Sequence, residues 1–346
     1  MPDPIARTLA ARPLASVLLL TYQQEAYVQS ALVSLLDQDY PHLEILVLDD
    51  ASSDRTLAIV RETLRDHPRQ GCVRVMVSER NHGLAANWNR GVAAAAGDVI
   101  IAAAGDDVSR PARVREAMEF FADNPSVYSL YGNCRIIDEA GRVRAEGWRA
   151  TTKVVRKTLG PGDLWKGFPF NGATAAYRVA LLRAFGPIDR RCGTEDVSSL
   201  MRAQLAGEAA VLPGIHVDWR WHGANLSHGG VTAAVPRITR FRSKLRKARG
   251  ACYDGLQLER DARRAVDLGL RSAAEVAGML SVARKMQLVN RLRLHALHPC
   301  SRWAVFIRLL GTTWSTPHLA VTEKVTLTLK CLIRRAFPRA VRHWGA

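Results

Sequence analysis

The first 130 residues alternate between two hydrophobic periods, and that alternation constrains the fold more than any other feature. "SVLLLTY" (16–22) is an unbroken apolar run with the length of a buried parallel strand. "EAYVQSALVSLLDQ" (25–38) places Tyr27, Val28, Ala31, Leu32, Leu35 and Leu36 on one helical face. The alternation then repeats. "LEILVLDD" (43–50) reads as a strand and "SDRTLAIVRETLRDH" (53–67) as a helix, with Ser53 or Asp54 as its N-cap. "VRVMVSE" (73–79) and "GLAANWNRGVAAAAG" (83–97) form the third pair, and "DVIIAAAG" (98–105) is the fourth strand. Pro111 opens one more helix, since proline fits a first helical turn. Such a chain predicts a mostly parallel, Rossmann-like sheet with helices on both faces. Arg7 and Arg12 ahead of "PLASVLLL" imitate a secretion leader, but the apolar part is short and lacks a small-residue cleavage site, so it reads as a strand. No stretch approaches the ~20 apolar residues of a membrane-spanning helix.

After residue 126 the pattern loosens. Short β-like runs such as "SVYSLYGN" mix with "LGPGDLWKGFPFNGA", and one clear helix, "VSSLMRAQLAG" (197–207), follows "GTED". Beyond 231 the chain is helical in character and strongly basic. The whole chain carries a formal charge of +17, and residues 231–346 hold 23 Lys and Arg against 6 Asp and Glu, so the first 230 residues are neutral. A basic region of this kind suits an anionic partner. Six cysteines stand far apart with no C-x-x-C spacing, which argues against a cysteine-built zinc site and predicts reduced thiols in a cytoplasmic protein.

In parallel sheets, ligands bind beyond the carboxyl ends of the strands. The polar residues fall there: Thr21 after the first strand, Asp49 and Asp50 after the second, Asp106 and Asp107 after the fourth. Adjacent carboxylates repel, and a hard divalent cation shared with substrate phosphates would offset that cost. There is no G-x-G-x-x-G after the first strand and no G-x-x-x-x-G-K-[ST] anywhere, so dinucleotide and phosphate-loop readings lose their support.

The stretches "SVLLLTYQQEAYVQSALVSLLDQDYPHLEILVLDDASSDRT" (16–56), "NHGLAANWNRGVAAAAGDVI", "GDDVSRP", "GTEDVSSLMRAQLAG" and "WRWHGANLSH" together resemble the family 2 inverting glycosyltransferases, which have the GT-A fold. The resemblance implies a catalytic domain over about 14–230, followed by a basic, mainly helical region over 231–346. It implies roles position by position. Thr21 and Asp50, with Asp49 beside them, would contact the nucleotide. Asp106 would lie near the ribose, and Asp107 would ligate Mn²⁺ or Mg²⁺ at the donor diphosphate. Asp196 would be the catalytic base with Glu195 as its neighbour, and His222 would help hold metal or diphosphate. The donor would be a nucleotide-diphospho-sugar, a UDP-sugar being the commonest choice, and the acceptor a carbohydrate or lipid-linked hydroxyl. Two departures stand out: Trp88 where relatives often carry arginine, and Ala104 where many carry a further acid.

Other readings of the same residues remain. Asp196 at a helix start also serves the helix dipole, and Asp54 and Asn81 also read as turn or cap residues. Trp219 and Trp221 read either as the lining of an acceptor cleft or as packing. Basic runs at 237–249, 302–310 and 324–344 would suit an anionic membrane surface, as in peripheral attachment to the cytoplasmic membrane, or simply solvated helices. No nucleic-acid reading motif is present, and no nucleic-acid partner is expected. The alternative to an enzyme is a binding module that holds a nucleotide sugar without transferring it, with a basic anchor.

Overall fold

The four apolar runs form β1 (Ala15–Thr21), β2 (Leu43–Asp49), β3 (Val73–Val77) and β4 (Val99–Ala104), joined by α1 (Val28–Leu36), α2 (Thr56–Leu64) and α3 (Leu84–Ala94). The computed structural model describes residues 5, 9, 13–147, 150–158, 168–223, 225 and 237–297. β5 (Val108–Ser109), α4 (Arg113–Asp123), β6 (Val127–Ile137), β7 (Val143–Ala145) and β8 (Val155–Thr158) follow. Then come β9 (Ala176–Arg178), α5 (Val179–Phe185), α6 (Glu195–Ala206), β10 (Glu208–Arg220), α7 (Arg237–Asp267) and α8 (Ala273–Leu297).

The sheet runs β3-β2-β1-β4-β9-β6-β10-β5, with β7 on β6 and β8 on β10. β3, β2, β1 and β4 are parallel. β9 is antiparallel to both β4 and β6, and β10 is parallel to β6. The carboxyl ends of β1, β2, β4, β6 and β10 therefore share one edge of the sheet.

Alternation along each strand divides the core. Leu18, Leu20, Leu46, Leu48, Ile100 and Ala102 face a layer of α3, α5, α6, α7 and α8. Val17, Leu19, Ile45, Val47 and Ile101 face α1, α2 and α4. A strand buried on both faces must be apolar throughout, which is why these runs show no polar alternation. Leu258, Ala262, Ala265, Val276, Met279 and Ala283 belong to the same cluster as Leu18 and Trp88, so packing crosses the boundary expected near residue 230 without a break.

Three local expectations change. The second helix starts at Thr56 with Arg55 in the cap position, although Asp54 still accepts the Thr56 N–H at 3.0 Å. Glu195 and Asp196 lie inside α6 rather than before it. The region after 126 holds two long strands, β6 and β10, where the sequence shows only short runs. Pro213 and Gly214 disguise β10: the ladder with β6 shifts register there, between Leu212 and Ile215. Among the described residues no helix is long and apolar enough to cross a membrane. The basic runs 302–310 and 324–344 lie outside the described residues, as do the side chains of 237–244.

Candidate active site

The expected site residues gather along the shared carboxyl edge. In the β1–β2 ladder Thr21 pairs with Asp49, and the Thr21 hydroxyl donates to Asp49 Oδ1 at 3.1 Å. Ser52 donates to the same carboxylate through its hydroxyl (2.6 Å) and its N–H (2.9 Å). Asp50 accepts the N–H groups of His82 (3.0 Å) and Gly83 (2.8 Å), so it pins the start of α3. Both acids thus have structural work at the strand end. Ala51 and Gln23 adopt positive φ (62° and 55°), unusual for residues with a Cβ. Bonds from Gln23 to Ser52 and Ser53 hold that rim. Trp88 is 1% exposed and packs edge-on against Tyr177, so it belongs to the core.

The Asp106–Asp107 pair divides. Asp106 Oδ2 lies 2.9 Å from His222 Nε2. Asp107 turns inward, where its Oδ1 accepts the Arg220 N–H at 2.8 Å. Burial first, then the charge of Asp106, push the Asp107 carboxyl well above the usual range. Arg113 faces the same gap as Asp107; burial lowers its guanidinium to about 10, and it donates to the carbonyls of Ala102 (2.6 Å) and Ala173 (3.0 Å). The histidine thus meets the carboxylate expected near the ribose, while the one expected to bind metal is tied to the β10 backbone.

Arg220 organises this corner, and the sequence reading did not single it out. It donates from Nε to the Asp106 carbonyl (2.9 Å) and from a terminal nitrogen to the carbonyls of Asp138 (3.0 Å) and Glu139 (3.1 Å). Its guanidinium lies 4.9 Å from the Tyr27 ring, whose other neighbour is the His222 ring, also at 4.9 Å. Asn225 closes the turn by accepting the His222 N–H (2.6 Å) and donating to the Arg220 carbonyl (2.8 Å). The available signals were the two-residue spacing of Arg220 and His222 and an asparagine three residues on.

Asp196 reaches the same edge from the N-terminus of α6. The turn Gly172–Thr174 enters β9 beside the end of β4, and a Cβ on Gly172 would lie 2.6 Å from Asp196 Oδ2. Asp196 Oδ1 accepts from the Thr194 hydroxyl and from the Val197 N–H (2.7 Å). Burial raises its carboxyl above the ordinary value. Glu195 beside it is 7% exposed, and its Oε2 has no hydrogen-bond partner among the described residues. Burial, then the Asp196 charge, push the Glu195 carboxyl up to about 8. Trp219 is 6% exposed and packs with Cys134, Ile136 and Val217, whereas Trp221 is 45% exposed.

Among the described residues no group of three or more His, Cys, Asp and Glu side chains is placed to hold a metal ion. The donor set at the corner is one carboxylate oxygen and one imidazole nitrogen. That partial set fits a divalent cation whose other ligands are phosphate and water oxygens.

A parallel sheet that turns mixed beyond β4, with acidic residues along its carboxyl edge, has the architecture of the GT-A fold. Residues 16–186, just under half of the chain, match glycosyl transferase family 2. It is 31% identical over 141 residues to a chondroitin synthase of Escherichia coli, covering 41% of this chain and 20% of that enzyme. It spans 44% of the length of an uncharacterized glycosyltransferase of Haemophilus influenzae. Its fold is similar to that of S. aureus TarS solved with UDP-GlcNAc (TM-score 0.53, 21% identity, 82% of this chain and 83% of that chain). It is also similar to the mannosyltransferase PcManGT of Pyrobaculum calidifontis solved with GDP-Man and Mn²⁺ (TM-score 0.50, 17% identity, 98% and 90%).

Proposed function

We propose that this chain is a metal-dependent inverting glycosyltransferase that moves a sugar from a nucleotide-diphospho-sugar to a hydroxyl acceptor in bacterial surface polysaccharide or glycolipid synthesis. The observation that carries the reading is the meeting of Asp106 and His222 at the carboxyl edge that Asp196 also reaches. Asp106 and His222 would hold the cation. When bound, it would supply Lewis-acid stabilisation to the departing diphosphate. An imidazole ligand favours Mn²⁺ over Mg²⁺, which prefers oxygen throughout. Asp107 would act one step removed, by fixing the turn that presents His222.

Asp196 would take the proton of the acceptor hydroxyl. As the acceptor oxygen bonds to the anomeric carbon, the bond from that carbon to the phosphate oxygen breaks, and its electron pair leaves with the nucleoside diphosphate. Attack opposite the leaving group inverts the anomeric configuration. A raised carboxyl pKa makes Asp196 a stronger base, and an ionised base sets the acid limb of activity. That limb should lie above the ordinary 3.8, with an apparent value that belongs to the Glu195–Asp196 pair. Thr21, Asp49 and Asp50 would shape the nucleotide pocket through the loops they fix.

The donor class is supported by UDP-GlcNAc and GDP-Man in the similar folds; a UDP-sugar is the first donor to test. A screen of UDP-, GDP-, CDP- and TDP-sugars with Mn²⁺ or Mg²⁺, reading turnover and calorimetric binding together, tests the reading. Asp196→Asn should lower turnover by 10²-fold or more while donor still binds. Donor binding without turnover across acceptors would instead favour the binding-module reading. A product that retains the anomeric configuration would remove the single-displacement mechanism.

A further inference from the structure

The connection between α5 and α6, residues 186–194, delivers the chain to Glu195 and Asp196, and α7 holds it along its length. Asp254 accepts the Gly193 N–H at 3.0 Å. Gln257 Oε1 accepts the Asp189 N–H at 2.9 Å, while its Nε2 donates to Asp261 Oδ1 at 2.9 Å. Asp261 accepts two bonds from Arg202 of α6, at 2.9 and 3.1 Å, and both side chains are 1% exposed. Arg202 also donates to the Gly186 carbonyl at 2.8 Å. The connection is therefore tied at its start, middle and end.

The contact at Gly193 is closer than side chains would permit. A Cβ on Gly250 would lie 2.6 Å from Gly193 Cα and 3.0 Å from its nitrogen. Positions 250, 254, 257 and 261 recur at helical spacing, so they form one stripe of α7. All four lie beyond the segment that matches the family.

We propose that this stripe is a latch that positions the Asp196 carboxylate: Gly250 lets α7 reach the backbone of the connection, and Asp254 fixes Gly193, three residues before Asp196. The latch rests on the reading of Asp196 as the base. Asp254, Gln257 and Asp261 are positioning residues, since none touches the reacting atoms. Burial raises the Asp254 carboxyl to about 6, and the Asp196 charge adds to that rise, so the two acids feel each other.

The test uses the full chain with Asp254→Ala, Asp254→Asn and Gly250→Ala. It reads kcat, donor KM, donor affinity by calorimetry, and amide exchange over 187–198. Asn keeps an oxygen that accepts the Gly193 N–H; Ala removes it. Gly250→Ala keeps every hydrogen-bonding group and displaces only the backbone. The latch predicts that Asp254→Ala and Gly250→Ala lower kcat tenfold or more with donor affinity within twofold, and that Asp254→Asn stays within about threefold of the parent. Exchange at Gly193 should quicken at least tenfold in Asp254→Ala and not in Asp254→Asn. Unchanged kcat and exchange in Asp254→Ala, a parallel fall of kcat and donor affinity, or failure of both Ala variants to fold would each overturn it. If the parent transfers from no donor, the exchange result still decides the latch, and it is the transfer reading that falls.

Discussion

Glu195 is a carboxyl held where a carboxylate is poorly solvated. The folded state keeps it protonated near neutral pH, because burial pushes it from the ordinary 4.5 to about 8. The unfolded chain ionises it, so folding takes up a proton between those values. Its contribution is complete below about 4.5 and lost as pH rises through about 8. Thermal unfolding from pH 5 to 8.5 should therefore show falling stability. Glu195→Gln should flatten that slope and gain on the order of 1–3 kcal/mol at pH 8. Asp107 and Asp254 are shifted upward too, so some slope should remain. Asp106 and Asp107 separate in the same way. Asp106→Asn should weaken metal-dependent donor binding by tenfold or more in calorimetry. Asp107→Asn, which keeps an acceptor for the Arg220 N–H, should retain most of it. A reversed order would return the cation to Asp107. The sequence shows two adjacent acids at a strand end; which one turns inward is decided by β10, more than a hundred residues away, and no local pattern carries that.

At the scale of elements, the parallel half was legible because β1, β2 and β4 are largely apolar on both faces and each helix has one apolar stripe. The approach of Asp50 to α3 was not. That helix is capped by Gly83, whose φ of 89° suits a residue without a Cβ, and Asp50 accepts its N–H. Gly83→Ala should cost about 1 kcal/mol or more in denaturant unfolding. A neutral result would mean that the turn relaxes. β10 was hidden by Pro213, which reads as a breaker; here the bulge absorbs it while both flanks keep their ladder to β6. Arg220 and Asn225 were missed for the same reason, since their roles appear only once β10 is placed beside β4's neighbours.

At the scale of the molecule, the charge step near residue 230 suggests a boundary that the packing does not respect. Leu258, Ala262 and Ala265 of α7 share a core with Leu18 of β1, and the Arg202–Asp261 pair is buried beneath them. Removing one partner of such a pair costs roughly 3–5 kcal/mol, because it strands the other charge. A chain cut after residue 230 would lose that pair and uncover the apolar layer over α5 and α6. It should show no cooperative thermal transition and should aggregate, as followed by calorimetry and light scattering. A sharp, reversible transition in that fragment would mean that the first 230 residues fold alone.

The position of β10 bears on how the protein comes into being on the ribosome. It is among the last strands translated, yet it settles between β6 and β5 rather than at a free end of the sheet. A nascent chain therefore presents its acidic edge early and waits for an interior gap to be filled. His222 follows β10 directly and the α7 stripe emerges later still, so the corner is completed only after both long strands of the mixed half have been made.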